Sequence, residues 1–218
     1  MSFTRPAASV PAVSVIVPAY NERDCIGASL SALQRIEYPG EWEILVVDDG
    51  STDGTASIAA EHAWSRVRIL PKSNGGKHSA LNHGLEHATG DVIVTVDADS
   101  LLLEDSLQRI VGLFQANPGV DAVAGVLSVA NPGSFITNLQ ELEFLVGIQL
   151  FRRAYDFAGA VSLVPGALGA YRRESLDRVG GFDDDTLTED FDVTVKLLKC
   201  GGSTRSVDSV CLTEAPGT

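Results

Sequence analysis

Asp97 and Asp99 stand two residues apart, directly after the apolar run Val92 to Val96. At the end of a strand, period-2 geometry turns both carboxylates to one side, where they can share a divalent cation. They can equally be caps for a following helix, and the pair alone leaves both readings open. Asp48 and Asp49 follow the run Glu43 to Val47 and lead into Gly50-Ser51-Thr52-Asp53-Gly54. Such a turn can set an acid against a hydroxyl or ring nitrogen of a nucleotide, with glycines permitting close backbone approach; it can also be an ordinary capped loop. Asn74-Gly75-Gly76-Lys77 can bring a mobile ammonium to a diphosphate, or leave Lys77 solvated at the surface. Thr188-Glu189-Asp190-Phe191-Asp192 opens a helical pattern, and acids in a first turn are commonly caps and dipole partners. Asp190 becomes a general base only if packing sets it within hydrogen-bond reach of a substrate hydroxyl.

The elements that must position these groups alternate. Strands are predicted at Val13 to Val17, Glu43 to Val47, Val67 to Leu70, Asp91 to Val96 and Val120 to Val129. Between them run helical patterns: Ile26, Leu30 and Leu33; Thr55 to Glu61; about Ser79 to His87; and Leu107, Ile110, Val111 and Phe114. Alternation with continuously apolar strands implies an α/β fold, a mostly parallel central sheet with helices on both faces. Ligands bind such sheets beyond the carboxyl ends of the strands. Pro18-Ala19-Tyr20-Asn21-Glu22, Asp48-Asp49 and Asp97-Ala98-Asp99 all fall there, so three polar clusters converge on one edge. Phe135 to Arg153 carries a broad apolar face and is predicted to be an amphipathic helix packed on the core.

Composition removes several classes. At 218 residues the chain fits one domain, residues 1–218. Acidic residues outnumber basic ones 29 to 16, and a net charge of -13 argues against nucleic acid as a partner. The three cysteines, Cys25, Cys200 and Cys211, indicate neither a disulfide framework nor a zinc site. Phe157 to Tyr171 is too short, and too broken by Gly159, Pro165, Gly166 and Gly169, to span a membrane. Gly76-Lys77-His78 is not a P-loop, and no G-x-G-x-x-G occurs. His83 and His87 are one helical turn apart and are expected to be a surface pair, not a metal site.

The motifs, taken in order, resemble those of family 2 glycosyltransferases. They are Val13 to Glu22, Val46 to Thr55, Gly76-Lys77 with Ala80-Leu81-Asn82, Asp97-Ala98-Asp99 and Thr188-Glu189-Asp190. Gln140 to Phe144 and Pro165 to Arg173 look most like the processive branch, and within it the poly-N-acetylglucosamine synthases. The resemblance implies a GT-A fold, with a nucleotide-sugar half over about 12–130 and an acceptor half over about 131–218. It implies a UDP-sugar donor, a saccharide acceptor and a Mg2+ or Mn2+ ion, and an inverting transfer that extends a β-linked polysaccharide of N-acetylglucosamine. Pro18, Tyr20, Glu22 and Asp49 would hold the uridine, Lys77 and Asp97 the diphosphate end, and Asp97 with Asp99 the metal. Asp190 would be the base, with Gly166, Ala167 and Glu189 lining the acceptor site. A single base deprotonating the acceptor hydroxyl supports one in-line displacement, which inverts the anomeric centre.

Processive relatives continue into a Gln-x-x-Arg-Trp motif and membrane helices, so the chain is expected to be a catalytic domain cut from a longer protein attached to the cytoplasmic side of a membrane. A nucleotidyltransferase that makes nucleotide sugars is a rival, but it calls for a glycine-rich, arginine-bearing loop where Pro18-Ala19-Tyr20-Asn21 stands. A non-catalytic nucleotide-sugar-binding module is a second rival, against which the intact Asp97, Asp99 and Asp190 argue.

Overall fold

The computed structural model describes residues 10–129, 164–183 and 188–213. Four parallel strands make one half of its sheet: β1 (Val13–Ala19), β2 (Trp42–Asp48), β3 (Val67–Pro71) and β4 (Val92–Val96). β1 lies between β2 and β4, and β3 pairs with the far side of β2. Strands as predominantly apolar as β1, β2 and β4 need cover on both faces. The helices α1 (Ile26–Gln34), α2 (Thr55–Glu61) and α4 (Ser106–Ala116) supply one face, where Leu30, Leu33, Ile110 and Phe114 pack with Val15, Val17, Ile44 and Val94. α3 (Lys77–His87), α5 (Arg173–Val179) and α6 (Glu189–Lys199) supply the other, where Leu81, Leu176 and Leu197 pack with Ile16, Leu45 and Ile93.

Beyond β4 the sheet becomes mixed. β7 (Leu168–Arg172) runs antiparallel to β4 and to β6 (Ala122–Val129). β8 (Thr204–Thr213) is parallel to β6, and β5 (Ser100–Leu102) closes the edge antiparallel to β8. The order is β3-β2-β1-β4-β7-β6-β8-β5. The expected mostly parallel sheet is present, and its parallel block is the part the alternation predicted.

β5, β7, β8 and α5 were not predicted. β5 is three residues long, and β7 lies inside an apolar stretch whose Gly169 interrupts any strand pattern. α3 begins at Lys77 rather than Ser79, because Gly76 takes φ 86°, closed to most side chains, and turns the chain directly into the helix. The helix predicted over Phe135 to Arg153 and the Gln140 to Phe144 motif lie outside the described residues.

α3 packs close to β1 because Gly84 has no side chain. A Cβ there would lie 2.5 Å from Ile16 Cγ2, and Ile16 is fully buried. Alanine would gain about 1 kcal/mol of helix propensity, but overpacking costs roughly 1–3 kcal/mol and β-branched Ile16 cannot swing aside. Gly84→Ala should therefore lower stability by about 1 kcal/mol net, seen as a lower urea midpoint at unchanged slope.

Candidate active site

The parallel register sets β1 and β2 flush, with Ala19 opposite Asp48, so the loops that follow meet at once. They are stitched by short-range polar contacts. Asn21 adopts φ 57°, the sole positive φ outside glycine among the described residues, a conformation asparagine tolerates. From there its amide donates to Ser51 Oγ (3.0 Å) and its Oδ1 accepts from the Thr52 amide (2.9 Å). The Glu22 amide donates to Thr55 Oγ1 (2.8 Å), and Ser51 donates back to Asp48 Oδ1 (3.0 Å). Glu22 Oε2 accepts from the Cys25 thiol at 2.9 Å. Burial and this carboxylate push the thiol up to about 12, so it stays protonated and inert.

Beyond the stitched loops lies a cavity of 510 Å³. Pro18, Tyr20 and Glu22 from the end of β1, Asp49 from β2, Lys77 from α3, and Asp97 and Asp99 from β4 all line it. Every nucleotide, diphosphate and metal residue expected from sequence thus faces one space. Asp49 is 3% exposed. Its carboxylate accepts from Lys72 Nζ (2.5 Å) and from the amides of Gly75 (3.0 Å) and Gly76 (2.8 Å). Its first task is to hold the 72–76 loop against the cavity, and Lys72, which carried no sequence signal, is its partner. Tyr20 is 49% exposed at the mouth.

Asp97 and Asp99 are followed by β5 rather than by a helix, which removes the capping alternative. Two carboxylates supply hard oxygen ligands that fit Mg2+ or Mn2+, ions commonly completed by substrate phosphates. One member of this pair already meets a cation, since Lys77 Nζ lies 2.6 Å from Asp97 Oδ1.

Lys77 also reaches across to Glu189 of α6 at 3.2 Å. Burial opposes its charged form, yet Asp97 and Glu189 outweigh that cost and hold its pKa above the ordinary lysine value. Next to it, Asp190 Oδ2 accepts from the Gly166 amide at 2.6 Å and Oδ1 from the Phe191 amide at 2.8 Å. A Cβ on Gly166 would stand 3.1 Å from Lys77 Nζ and 3.3 Å from Asp190 Oδ2, so glycine is what lets this backbone lie between the two. Ala167 contributes its carbonyl, which accepts from the Asp97 amide at 3.3 Å. The acids of α6 therefore do more than cap a helix. Thr188, at the N-cap position, makes no side-chain capping bond. Beneath the site, fully buried Tyr171 has its phenol pKa pushed up by burial and by Asp190 and Glu189.

Comparison with known proteins gives the family and the fold. The sequence profile of glycosyl transferase family 2 matches residues 14–180. The poly-beta-1,6-N-acetyl-D-glucosamine synthase of Staphylococcus epidermidis is 32% identical over 192 residues, covering 86% of this chain and 46% of that protein. The beta-monoglucosyldiacylglycerol synthase of Nostoc sp. is 36% identical over 196 residues, 87% of this chain and 42% of the relative. This chain spans about half the length of the relatives it matches. A solved structure of the mannosyltransferase PcManGT from Pyrobaculum calidifontis, in complex with GDP-Man and Mn2+, superposes with a TM-score of 0.80 at 33% identity. It covers 96% of this chain and 58% of that one. The fold is the expected GT-A α/β fold, and nothing in these matches supports a nucleotidyltransferase.

Lys77 holds its proton more tightly in the folded chain than in the unfolded one. Its stabilising contribution is therefore complete below the unfolded value of 10.5 and is lost as pH rises through the higher folded value. Lys77→Met should melt at a lower temperature than the parent at neutral pH, with the gap closing only in alkali beyond 10.5; paired thermal melts across that range measure it.

Proposed function

The chain belongs to glycosyl transferase family 2, and on that premise we propose that it carries the transfer site of an inverting enzyme that moves N-acetylglucosamine from a UDP-sugar onto a growing β-linked polysaccharide. The observation that carries this reading is the adjacency of Asp97, Lys77, Gly166 and Asp190, which sets an ammonium on the cavity wall close to a carboxylate held by a backbone amide.

In this reading residues of about 12–130 bind the donor and those of about 131–218 the acceptor. Uracil would lie between Tyr20 and the loop held by Asp49, with Pro18 and Glu22, which line the same cavity, beside it. Asp97 and Asp99 would hold a Mg2+ or Mn2+ ion, which would supply positive charge to offset that on the diphosphate leaving group. Lys77 exchanges one of its carboxylate partners for a phosphate oxygen and stabilises the negative charge that develops there. Gly166, Ala167 and Glu189 line the acceptor side. Asp190 takes the proton from the acceptor hydroxyl, with the Gly166 amide fixing the carboxylate's orientation. One base and one displacement invert the anomeric centre.

The choice of UDP and of N-acetylglucosamine draws on the sequence resemblance and on the Staphylococcus epidermidis relative. Attachment to the cytoplasmic face of a membrane rests on the resemblance; no helix among the described residues is long and apolar enough to cross one.

Calorimetry with UDP-N-acetylglucosamine and GDP-mannose, in Mn2+ and in chelator, tests the donor site. Uridine-selective binding that requires Mn2+ and weakens about tenfold or more in Asp99→Asn is expected; equal binding in chelator would sink the metal assignment. Asp190→Asn should keep donor affinity while sugar transfer to an oligosaccharide, followed as UDP release, falls about 100-fold or more. Unchanged turnover would remove Asp190 as the base.

A further inference from the structure

The histidines of α3 take no part in the transfer site. His83 and His87 project from the same side of the helix, with ring centroids 4.6 Å apart and planes tilted by 55°. Glu86 joins them, its Oε2 lying 3.8 Å from His83 Nδ1. The three residues offer ligand atoms within 4.8 Å of one another, and no other group of three His, Cys, Asp or Glu among the described residues comes as close. Two atoms bound at roughly 2.1 Å to one tetrahedral zinc ion stand about 3.4 Å apart, so small side-chain rotations bring all three onto a single ion.

The ligand set is also oriented. His87 Nδ1 lies 2.9 Å from the His83 carbonyl oxygen. A carbonyl only accepts, so Nδ1 carries the proton and Nε2 presents its lone pair outward. A hydrogen bond from the second ring nitrogen is the support that metal-binding imidazoles use. The backbone beneath is pinned: Arg173 donates to the carbonyls of Leu85 (3.2 Å) and Ala88 (2.6 Å), and Arg68 to that of His87 (3.2 Å). Carboxylates partly offset both guanidinium charges, Glu43 at 3.1 Å from Arg68 and Asp177 at 3.9 Å from Arg173. His83 and Glu86 border a groove of 340 Å³ shared with Asn82 and Phe182, which leaves room for a further ligand on an ion held there. The group begins six residues along the helix from Lys77 and ends ten along, roughly 9 to 15 Å at 1.5 Å per residue.

We propose that His83, Glu86 and His87 form a second metal site, separate from the Asp97 and Asp99 pair, that takes a transition-metal dication of the zinc type. Two imidazoles and one carboxylate suit Zn2+, whereas Mg2+ and Ca2+ select oxygen.

Zn2+ titrated calorimetrically into the chain carrying Asp97→Asn and Asp99→Asn should still bind at one ion per chain. Adding His83→Ala and His87→Ala should weaken that binding about tenfold or more. Glu86→Gln, at an exposed position, should weaken it while leaving the melting temperature of the metal-free chain unchanged. Co2+ should give the intense visible absorption of a tetrahedral ion, lost in the same variants. Zn2+ binding unaltered by the histidine substitutions, or no binding to the folded parent, overturns the site. Either result leaves the donor-site reading standing, since that is probed with nucleotide and Mn2+.

Discussion

Lys77 supplies a positive charge that acids from two different elements share at the acidic edge of this sheet. Asp97 arrives from β4 and Glu189 from α6, and each sets an oxygen on the same ammonium, at 2.6 and 3.2 Å. Asp190 is the next residue along and Asp99 lies two beyond Asp97, so four carboxylates gather in a chain that already carries a net charge of -13. Like charges at such separations repel, more strongly where water is partly excluded. Lys77 offsets that repulsion at two of the four and ties β4 to α6. In the proposed reading the same ammonium also meets the diphosphate, so one residue would serve as structural bridge and donor contact.

What makes the bridge possible is backbone geometry. Gly76 at φ 86° starts α3 at Lys77, so the lysine leaves from the first turn, close to the strand ends. Gly84, further along the helix, lets α3 lie directly on Ile16 of β1. Gly166 passes between Lys77 and Asp190, where a methyl group would press on both. Asp49 secures the remaining wall by collecting Lys72 and two backbone amides on one carboxylate. An acid expected to meet ligand directly is thus also the anchor of the loop that shapes the ligand's space.

The parallel block was legible because β1, β2 and β4 are buried on both faces, which writes predominantly apolar runs into the sequence, and because each run is separated from the next by a helical period. β5 and β7 escaped notice for the opposite reason. Three residues at a sheet edge carry too little pattern, and the glycines around β7 break it. Lys72 was invisible too, since a lysine's partner depends on a contact 23 residues away.

By itself the sequence determined which groups stand at the strand ends and that these ends share one edge, because parallel strands joined by helices all point the same way. It did not determine whether Asp97 and Asp99 cap a helix, whether Asp190 merely decorates a first turn, or whether Lys77 is solvated. Those questions are settled by distances between residues far apart in the chain. β5 following Asp99, the Gly166 amide meeting Asp190 and Lys77 lying between Asp97 and Glu189 exist only once the two halves of the sheet have closed on each other. Local periodicity records which face of an element is buried, but not which distant side chain waits there.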